Sequence, residues 1–390
     1  STVNELDDDL FISGVGGADG NATTGGGGTF YSIKTFNRFT ESHSNVTSTS
    51  TILSPSVGYE IYLATTLGTF NATTVDLVGT PSVGQISSVQ VNQGWNLVGN
   101  PYHSFLRWTD VTKDASVPND YYIFNTDNGS YDFVSGGTDP IAPEQGFWIN
   151  MLPQGGKLLT FNEEDKVSSN SSTFLRKKKT QQTSFIIKSN SNTFSTKTII
   201  NFDATASLKF DELDAKFLSS PNLETPAIYS FPEGSDVRLT KNSVSPNKES
   251  LKIPLTIDIP IQGTYLIESE NISTLLGNYS CAFLEDKENN TLIDFNFDNS
   301  VTFESESGES KRFNLILSNS FEECQKEIFN NYSHTAKNKA LSLRNTNRSL
   351  YIDYNFGSES NNSLSIEILN INGQLVKSLG TVSVIGKGAY

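Results

Sequence analysis

The sequence contains few of the residues from which catalytic and metal sites are usually built: its 390 residues include two cysteines, three histidines and one methionine. The cysteines, Cys281 and Cys324, lack the spacing of metal ligands, and the sequence leaves open whether they form a disulfide. Only 18% of residues are charged, and 28 basic against 43 acidic residues give a net charge of -15. This composition does not predict the basic face that binds phosphates, so no nucleic acid is expected as a partner.

Long apolar segments are also missing. No run approaches the roughly 18 apolar residues of a membrane-spanning helix. The chain starts at Ser1 without the charged and apolar regions of a signal peptide, so we expect that a signal was removed or that a longer polypeptide precedes it. Aromatic residues make up 11% of the chain, and Asn, Ser, Thr and Gly are abundant. This mixture favours an all-β fold of short strands and turns, and the length predicts two or three domains.

An internal repeat is visible in the first 165 residues. Five positions recur at a constant offset of 88: Pro55, Gly58, Tyr59, Ile61 and Gly68 match Pro143, Gly146, Phe147, Ile149 and Gly156. Aromatic strand candidates lie upstream of each set, at 30–33 and 121–124. The pattern predicts a duplicated module in which each half has three strands. The alternative is that Pro-x-x-Gly-aromatic is only a common signal for a turn followed by a strand.

The second region shows the alternation of β-strands. Apolar residues occupy every second position from Leu251 to Ile261, which predicts a long strand with one buried face. Pro254 and Pro260 cannot donate to a ladder, so this strand is expected at a sheet edge or interrupted. Similar alternation near 293–303 and 313–317 predicts a β-sandwich.

A short helix and a third β unit are expected to follow. Ser320 and Glu323 have the spacing of a capping box, which predicts a helix ending near Asn330. Farther on, Asn372 and Gly373 lie between two alternating segments and predict a tight hairpin turn.

No set of residues predicts catalysis. His43, His103 and His334 have no nucleophile motif nearby, and the acidic runs at 7–9 and 163–165 are poor catalytic pairs because neighbouring strand residues point to opposite faces. We therefore predict no enzyme, no catalytic residue and no cofactor. Calcium at 7–9 or in the turn 125–129 is left open.

The three tryptophans, Trp95, Trp108 and Trp148, allow a second interpretation. Aromatic rings can stack on sugars, but the apolar neighbours of Trp95 and Trp148 favour core packing. Carbohydrate binding by the duplicated module, with surface polysaccharide as partner, is the alternative function.

Several segments, taken together, resemble a known family. The first region contains Gly94-Trp-Asn-Leu-Val-Gly-Asn-Pro-Tyr102 and Ile141-Ala-Pro-Glu-Gln-Gly-Phe147, and the second contains Phe210-Asp-Glu-Leu-Asp-Ala-Lys216 and Arg312-Phe-Asn-Leu315. These segments look like the C-terminal regions of large Bacteroidetes surface and secreted proteins that are cargo of the type IX secretion system. The third region resembles the C-terminal sorting domain of that cargo. Its motif residues are Asn372, Gly373, Gln374, Leu375, Val376, Gly388 and Tyr390.

The resemblance implies tandem β-sandwiches, the last an immunoglobulin-like sorting domain. The expected domains are a duplicated module at 1–166, a sandwich at 167–318, a helix and linker at 319–338, and the sorting domain at 339–390, with its last strand expected beyond Tyr390. It further implies export through the periplasm to the cell surface, with the outer-membrane translocon and its shuttle barrel as partners. The implied function is a non-enzymatic stalk and secretion signal in adhesion or gliding motility. The third possibility is the tail of a secreted hydrolase.

Overall fold

The computed structural model is almost entirely β, as the sequence predicts. It describes residues 2–20, 29–62, 74–75, 79–137, 139–152, 156–168, 181–295, 298–320, 324, 341–346, 349–355, 361–369, 375–385 and 387–389. The chain divides into two compact units: Ser1–Thr126 with Tyr131–Lys178, and Asp127–Ser130 with Lys179–Tyr390. Among the described residues, no helix is long and apolar enough to cross a membrane.

The first unit is built from short strands. Its elements are α1 Asn4–Asp7, β1 Ile33–Asn37, β2 Ser42–Asn45, β3 Tyr59–Ile61, β4 Ile86–Val91, β5 Gly94–Gly99, β6 Phe105–Arg107, β7 Tyr121–Asn125, β8 Ser130–Val134, β9 Pro140–Ile141, β10 Gly146–Met151, β11 Lys157–Phe161 and β12 Lys166–Val167. They form sheets of order β2-β1-β3, β5-β10-β7-β8, β11-β4 and β12-β6-β9. Short 3-10 turns lie at Ser135–Gly137 and Glu163–Asp165.

The offset of 88 residues recurs in the backbone of the first unit. We call residues 33–61 copy A and residues 121–149 copy B. The strand orders β2-β1-β3 and β8-β7-β10 are equivalent, and Lys34 opposite Glu60 corresponds to Tyr122 opposite Trp148. The first strand of copy A begins at Ile33, three residues after the start predicted at residue 30. The observed start at Ile33 is 88 residues before Tyr121, where the first strand of copy B begins. Gly68 lies outside the described residues.

The turns also recur at the same spacing. Ser54 O accepts a hydrogen bond from Val57 N, and Ala142 O accepts one from Gln145 N. In both turns proline is the second residue, and the third, Ser56 or Glu144, has a positive φ of 67° or 56°. Proline followed by a positive φ is the type II pattern.

The second unit contains one long continuous sheet. Its elements are β13 Gln182–Ser189, β14 Ser195–Phe202, β15 Ala215–Lys216, β16 Ala227–Ser230, β17 Leu239–Val244, β18 Ser250–Ile259, β19 Gly263–Glu270, α2 Ser273–Asn278, β20 Cys281–Asp286, β21 Thr291–Asp294, β22 Ser300–Ser305 and β23 Gly308–Ser318. The strand order is β21-β20-β23-β18-β16-β17-β14-β13-β19-β22, and β15 pairs with β17. Apolar residues from both ends of this sheet, such as Phe185, Tyr265 and Leu315, share one buried core.

The strand β18 corrects one expectation. It is an interior strand, paired with β16 on one side and β23 on the other, and not an edge strand. The alternative expectation, an interruption, is met at Pro260: β18 ends at Ile259, and Ile261 is exposed. The short β16 pairs only with residues 255–258 of β18. Pro254 and Pro260 both lie outside that segment, so neither proline has to donate to β16.

Two smaller sheets follow in the C-terminal region. The strands are β24 Leu341–Thr346, β25 Ser349–Asn355, β26 Asn361–Leu369, β27 Leu375–Ile385 and β28 Lys387–Ala389. They pair as β24-β25-β28 and β26-β27. Most of the helix predicted before this region lies outside the described residues, but Cys324 N donates to Ser320 O at 3.0 Å, which is the i to i-4 bond of an α-helix.

Candidate functional sites

The predicted sorting motif falls on the strands of the C-terminal region. Leu375 and Val376 begin β27, and Gly388 lies on β28 opposite Tyr354. The strands β26 and β27 pair as far as Leu369 opposite Leu375. Asn372, Gly373 and Gln374 are in the connection between these paired strands and, like Tyr390, lie outside the described residues. The hairpin turn at Asn372 and Gly373 therefore stays a prediction.

A cluster of side chains forms where copies A and B of the first unit meet, and the sequence did not reveal it. We call it the copy interface. It consists of three pairs of equivalent positions: Phe36 and Phe124, His43 and Tyr131, and Glu60 and Trp148. The Phe36 and His43 rings are 5.2 Å apart, and the equivalent Phe124 and Tyr131 rings are 5.3 Å apart. Trp148 packs edge-on against Phe36, His43 and Tyr131.

Glu60 joins the two copies through its carboxylate. Tyr131 OH donates to Glu60 Oε1 at 3.2 Å, and His43 Nε2 lies 3.1 Å from Glu60 Oε2. Burial, and then the negative charge of Glu60, raise the pKa of Tyr131, while a hydrogen bond with Trp148 acts in the opposite direction. The phenol therefore stays protonated and acts as a donor. Both carboxylate oxygens of Glu60 have partners in the cluster, and the Tyr131 hydroxyl links the sheets of the two copies.

The repeat offset was the signal that could have located this cluster. It aligns positions 43 and 131 and positions 60 and 148, but it does not show that the two sets touch each other. That contact depends on how the two sheets pack face to face.

Catalytic candidates from the sequence that lie within the described residues have partners of their own. His103 pairs with Glu144 at 2.6 Å on the surface, where 51% of the His103 side chain is exposed. His334 lies outside the described residues. In the run at 163–165, Asp165 Oδ2 accepts from Asn162 N and caps a short turn. His103 and Asp165 therefore each have a local structural partner.

Oxygens of the candidate calcium turn at 125–129 accept hydrogen bonds from protein groups outside the turn, such as the Thr225 hydroxyl on Gly129 O. Asn128 Oδ1 accepts hydrogen bonds from the backbone and hydroxyl of Ser130 at 2.9 and 3.0 Å. Asn125 Nδ2 donates to Asp132. Within the described ranges, no group of three or more His, Cys, Asp or Glu side chains is placed to hold a metal ion.

The tryptophans differ in burial. Trp108 and Trp148 are buried, at 0% and 4% exposure, whereas Trp95 is half-buried and packs edge-on against Tyr122 at 5.2 Å. Of the three rings, Trp95 is therefore the one with part of its surface open to a ligand.

The two cysteines form a disulfide, which decides the question that the sequence left open. Cys281 begins β20, and Cys324 lies after β23. The bond is buried against Phe283, with Leu292 and Ile316 packed around it. Their sequence separation of 43 corresponds to about 4 kcal/mol of stabilisation if the bond acts by restricting the unfolded chain.

A buried ion pair stabilises the same part of the second unit. Arg312 on β23 donates Nε and Nη2 hydrogen bonds to Asp286 on β20, at 2.7 and 2.6 Å. Both side chains are almost fully buried. The guanidinium also lies over the Phe303 ring at 4.6 Å. The sequence gives no sign of this pair, because the partners are 26 residues apart.

Comparison with known protein families gives a match over part of the chain. A family model described as a domain of unknown function (DUF8693) matches residues 110–317, more than half of the chain. The matched segment runs from just before β7 into β23. No curated protein and no solved structure matches the chain.

Proposed function

The chain belongs to the family of the DUF8693 domain, and from its architecture we propose that it is the non-enzymatic C-terminal region of a cell-surface protein exported by the type IX secretion system. In this proposal the two large β regions form a stalk, and residues 339–390 are the immunoglobulin-like sorting domain recognised by the outer-membrane translocon and its shuttle barrel. The biological role is adhesion or gliding motility.

The observation that carries the proposal is the separate pair of antiparallel sheets formed by 341–389, after the long sheet of the second unit. A sorting signal read by surface and strand edges needs a small folded unit with accessible strands. Leu375 and Val376 begin a strand there, and Gly388 lies within another.

The disulfide supports the proposed route. Such bonds form and persist in the periplasm and outside the cell, and they are rare in the cytosol. The bond between Cys281 and Cys324 fits a chain that folds after leaving the cytoplasm.

The test is deletion of residues 341–390 in a Bacteroidetes strain that has the type IX translocon. We expect the full chain on the surface or in the medium and the shortened chain in the periplasm, as measured by immunoblotting of each fraction. The control is the same pair of proteins in a strain without the translocon, where both should stay in the periplasm. Protease resistance of the shortened chain shows that it still folds. Equal surface levels of the two chains would reject the proposal.

Polysaccharide binding by the first unit is the second candidate, and the partly open ring of Trp95 beside Tyr122 favours it. A glycan array probed with the full chain and with Trp95→Phe and Trp95→Ala variants tests it. Binding that Trp95→Ala abolishes and Trp95→Phe retains would support the candidate, and the absence of binding to any glycan would reject it.

A further inference from the structure

The turn between the first two strands of copy A has an equivalent in copy B, and the two turns carry different side chains. Each has four residues, at 38–41 between β1 and β2 and at 126–129 between β7 and β8, so both lie at the offset of 88. We call the first, Arg-Phe-Thr-Glu, the copy A turn, and the second, Thr-Asp-Asn-Gly, the copy B turn. An arginine and an aromatic ring therefore stand in copy A where copy B has a threonine and an aspartate.

The copy B turn is bound by other residues of the chain. Ser195 N donates to Asn128 O at 2.9 Å, and Thr225 Oγ1 donates to Gly129 O at 2.8 Å. Residues 127–130 belong to the compact body of the second unit. In one copy of the repeat, this turn is therefore a contact surface.

The copy A turn contains an arginine without a partner among the described residues. The Arg38 side chain is half-buried, makes no hydrogen bond or ion pair with them, and has its Nε atom shielded from solvent. Arg107, Arg238 and Arg312, in contrast, each pair with a carboxylate. Burial lowers the pKa of Arg38, because its charged form is incompletely solvated. Such a guanidinium favours an anionic ligand that supplies the missing acceptors.

Phe39 gives the copy A turn an exposed aromatic ring. It is 72% exposed, the highest value of any aromatic residue in the described part of the chain. The Arg38 guanidinium lies 5.1 Å from the centre of this ring. Asn37 Oδ1 accepts hydrogen bonds from the backbone N–H groups of Phe39 and Thr40, at 2.9 and 3.4 Å. The cation and the ring are therefore adjacent to each other on a hydrogen-bonded turn.

The copy A turn lies beside Trp95, the half-buried tryptophan of the first unit. Glu41 Oε1 accepts a hydrogen bond from Trp95 N at 3.0 Å. The Glu41 carboxylate thus contacts the start of β5, and burial rather than this charge shifts the pKa of Arg38. The region combines one unpaired cation with two rings, Phe39 and Trp95, that have surface open to a ligand.

This combination fits a sugar that carries an acidic group. A guanidinium can bind two oxygens of one anionic group through parallel hydrogen bonds, and an aromatic ring can pack against the apolar face of a sugar. The net charge of -15 opposes polyanions in general. At physiological ionic strength, however, exposed charges farther away than about 8 Å are largely screened, so the nearby cation has the larger influence.

We propose that the copy A turn binds an acidic polysaccharide, with Arg38 pairing with its carboxylate or sulfate groups and Phe39 packing against a sugar ring. The inference rests on the second candidate function, polysaccharide binding by the first unit, and names the class of polysaccharide. Binding of neutral glycans alone would leave that candidate in place and reject this inference. The secretion proposal is tested separately.

The first experiment measures binding of the full chain to matched polymers by biolayer interferometry. Polygalacturonate and its fully methyl-esterified form differ in the charge of the carboxyl group, and dextran sulfate and dextran form the corresponding pair for sulfate. We expect the charged polymer of at least one pair to bind about tenfold more tightly than its neutral form. The pair that shows the preference identifies the anionic group. Equal affinities within both pairs, or no binding to any of the four polymers, would overturn the proposal.

The second experiment assigns this binding to the copy A turn. Arg38→Gln should weaken binding to the preferred polymer about tenfold, and Phe39→Ala about fivefold. Arg38→Lys keeps the charge but loses the parallel hydrogen bonds, so it should weaken binding less than Arg38→Gln. The control is Lys209→Gln, which removes an exposed charge of the second unit and should leave the affinity unchanged. Equal losses in Arg38→Gln and Lys209→Gln would overturn the assignment.

The internal repeat supplies a further variant. Arg38→Thr combined with Phe39→Asp gives the copy A turn the first two residues of the copy B turn, and it should weaken binding more than either single substitution. Retained binding would show that the turn is not the site. Thermal unfolding checks that each variant folds. Poly-glutamate tests whether the sugar is needed, and binding of this polymer as tight as that of the preferred polysaccharide would overturn the role of the sugar ring.

Discussion

Copies A and B of the first unit have the same backbone arrangement, but their side chains differ where the copies meet. Strand order, register and the two proline turns are equivalent at an offset of 88. At the copy interface, however, Glu60 stands where copy B has Trp148, and His43 where copy B has Tyr131. The comparison teaches that both copies have the same backbone geometry because the same turns and strand pairings require it. The side chains at the interface differ because each one contacts a different surface of the other copy.

The difference also explains why the interface is not symmetric. If both position 60 and position 148 were tryptophan, the two rings would compete for the same space. If both were glutamate, two negative charges would lie close together in a partly buried site. With the Glu60 carboxylate at one position and the Trp148 indole at the other, the indole fills the space and the carboxylate accepts hydrogen bonds from the neighbouring side chains. Substitutions at equivalent positions therefore act as matched controls for each other. All three tryptophans lie in the first unit, so their fluorescence reports its unfolding in the full chain.

The largest expected effect on stability comes from substitutions at the equivalent positions 60 and 148. Trp148→Ala should lower the free energy of unfolding of the first unit by about 3–5 kcal/mol, because it leaves a cavity among Phe36, His43 and Tyr131. Glu60→Ala, at the equivalent position, should cost only about 1–2 kcal/mol, through its lost hydrogen bonds. Denaturant titration followed by the remaining tryptophans measures both. Equal losses would contradict the division of roles between the copies.

The second prediction concerns two glycines at equivalent positions: Gly58 precedes β3, and Gly146 begins β10. A Cβ on Gly58 would lie 2.4 Å from Leu97 Cγ, whereas one on Gly146 would have its nearest neighbour at 3.8 Å. Gly58→Ala should destabilise the first unit by about 1–3 kcal/mol through overpacking. Gly146→Ala should be neutral or stabilising, since alanine restricts the unfolded chain. Thermal unfolding distinguishes them, and a larger loss from Gly146→Ala would refute this account.

The third prediction tests the hydrogen bond that links the copies. Tyr131→Phe should cost about 1 kcal/mol because Glu60 then loses a donor. In a double-mutant cycle with Glu60→Ala, the two losses should not add, and the coupling energy should be about 1 kcal/mol. His43→Phe is the control at the equivalent position, where the partly exposed pair should contribute less. A coupling energy of zero would show that the Tyr131 contact does not contribute.

The smallest effect is expected at the two type II turns. Ser56 and Glu144 both have a positive φ, which glycine adopts without strain. Ser56→Gly should raise the free energy of unfolding by about 0.5 kcal/mol. Glu144→Gly should raise it less because the contact with His103 is lost. Chemical denaturation of the two variants compares the turns, and a loss of stability in Ser56→Gly would contradict the type II assignment.

Local features of the fold were accessible from the sequence. The alternation from Leu251 to Ile261 predicted β18, and the repeat of Pro, Gly and aromatic residues predicted equivalent strands, because side-chain periodicity and turn conformation depend on neighbouring residues. Of the two expected consequences of the prolines, the edge position was wrong and the interruption was right at Pro260, where β18 has ended. Whether a proline disrupts pairing depends on how far the partner strand extends. The sorting role of the C-terminal region stays a prediction.

What the sequence by itself determined is the all-β class, the strand segments and the 88-residue spacing. Only the tertiary structure decided that Cys281 bonds to Cys324, that Arg312 is buried against Asp286, and that Glu60 of one copy accepts a hydrogen bond from Tyr131 of the other. The physical reason is range: strand periodicity and turns are encoded within a few residues, whereas these contacts join residues 26 to 71 positions apart, and only the packing of sheets brings them together.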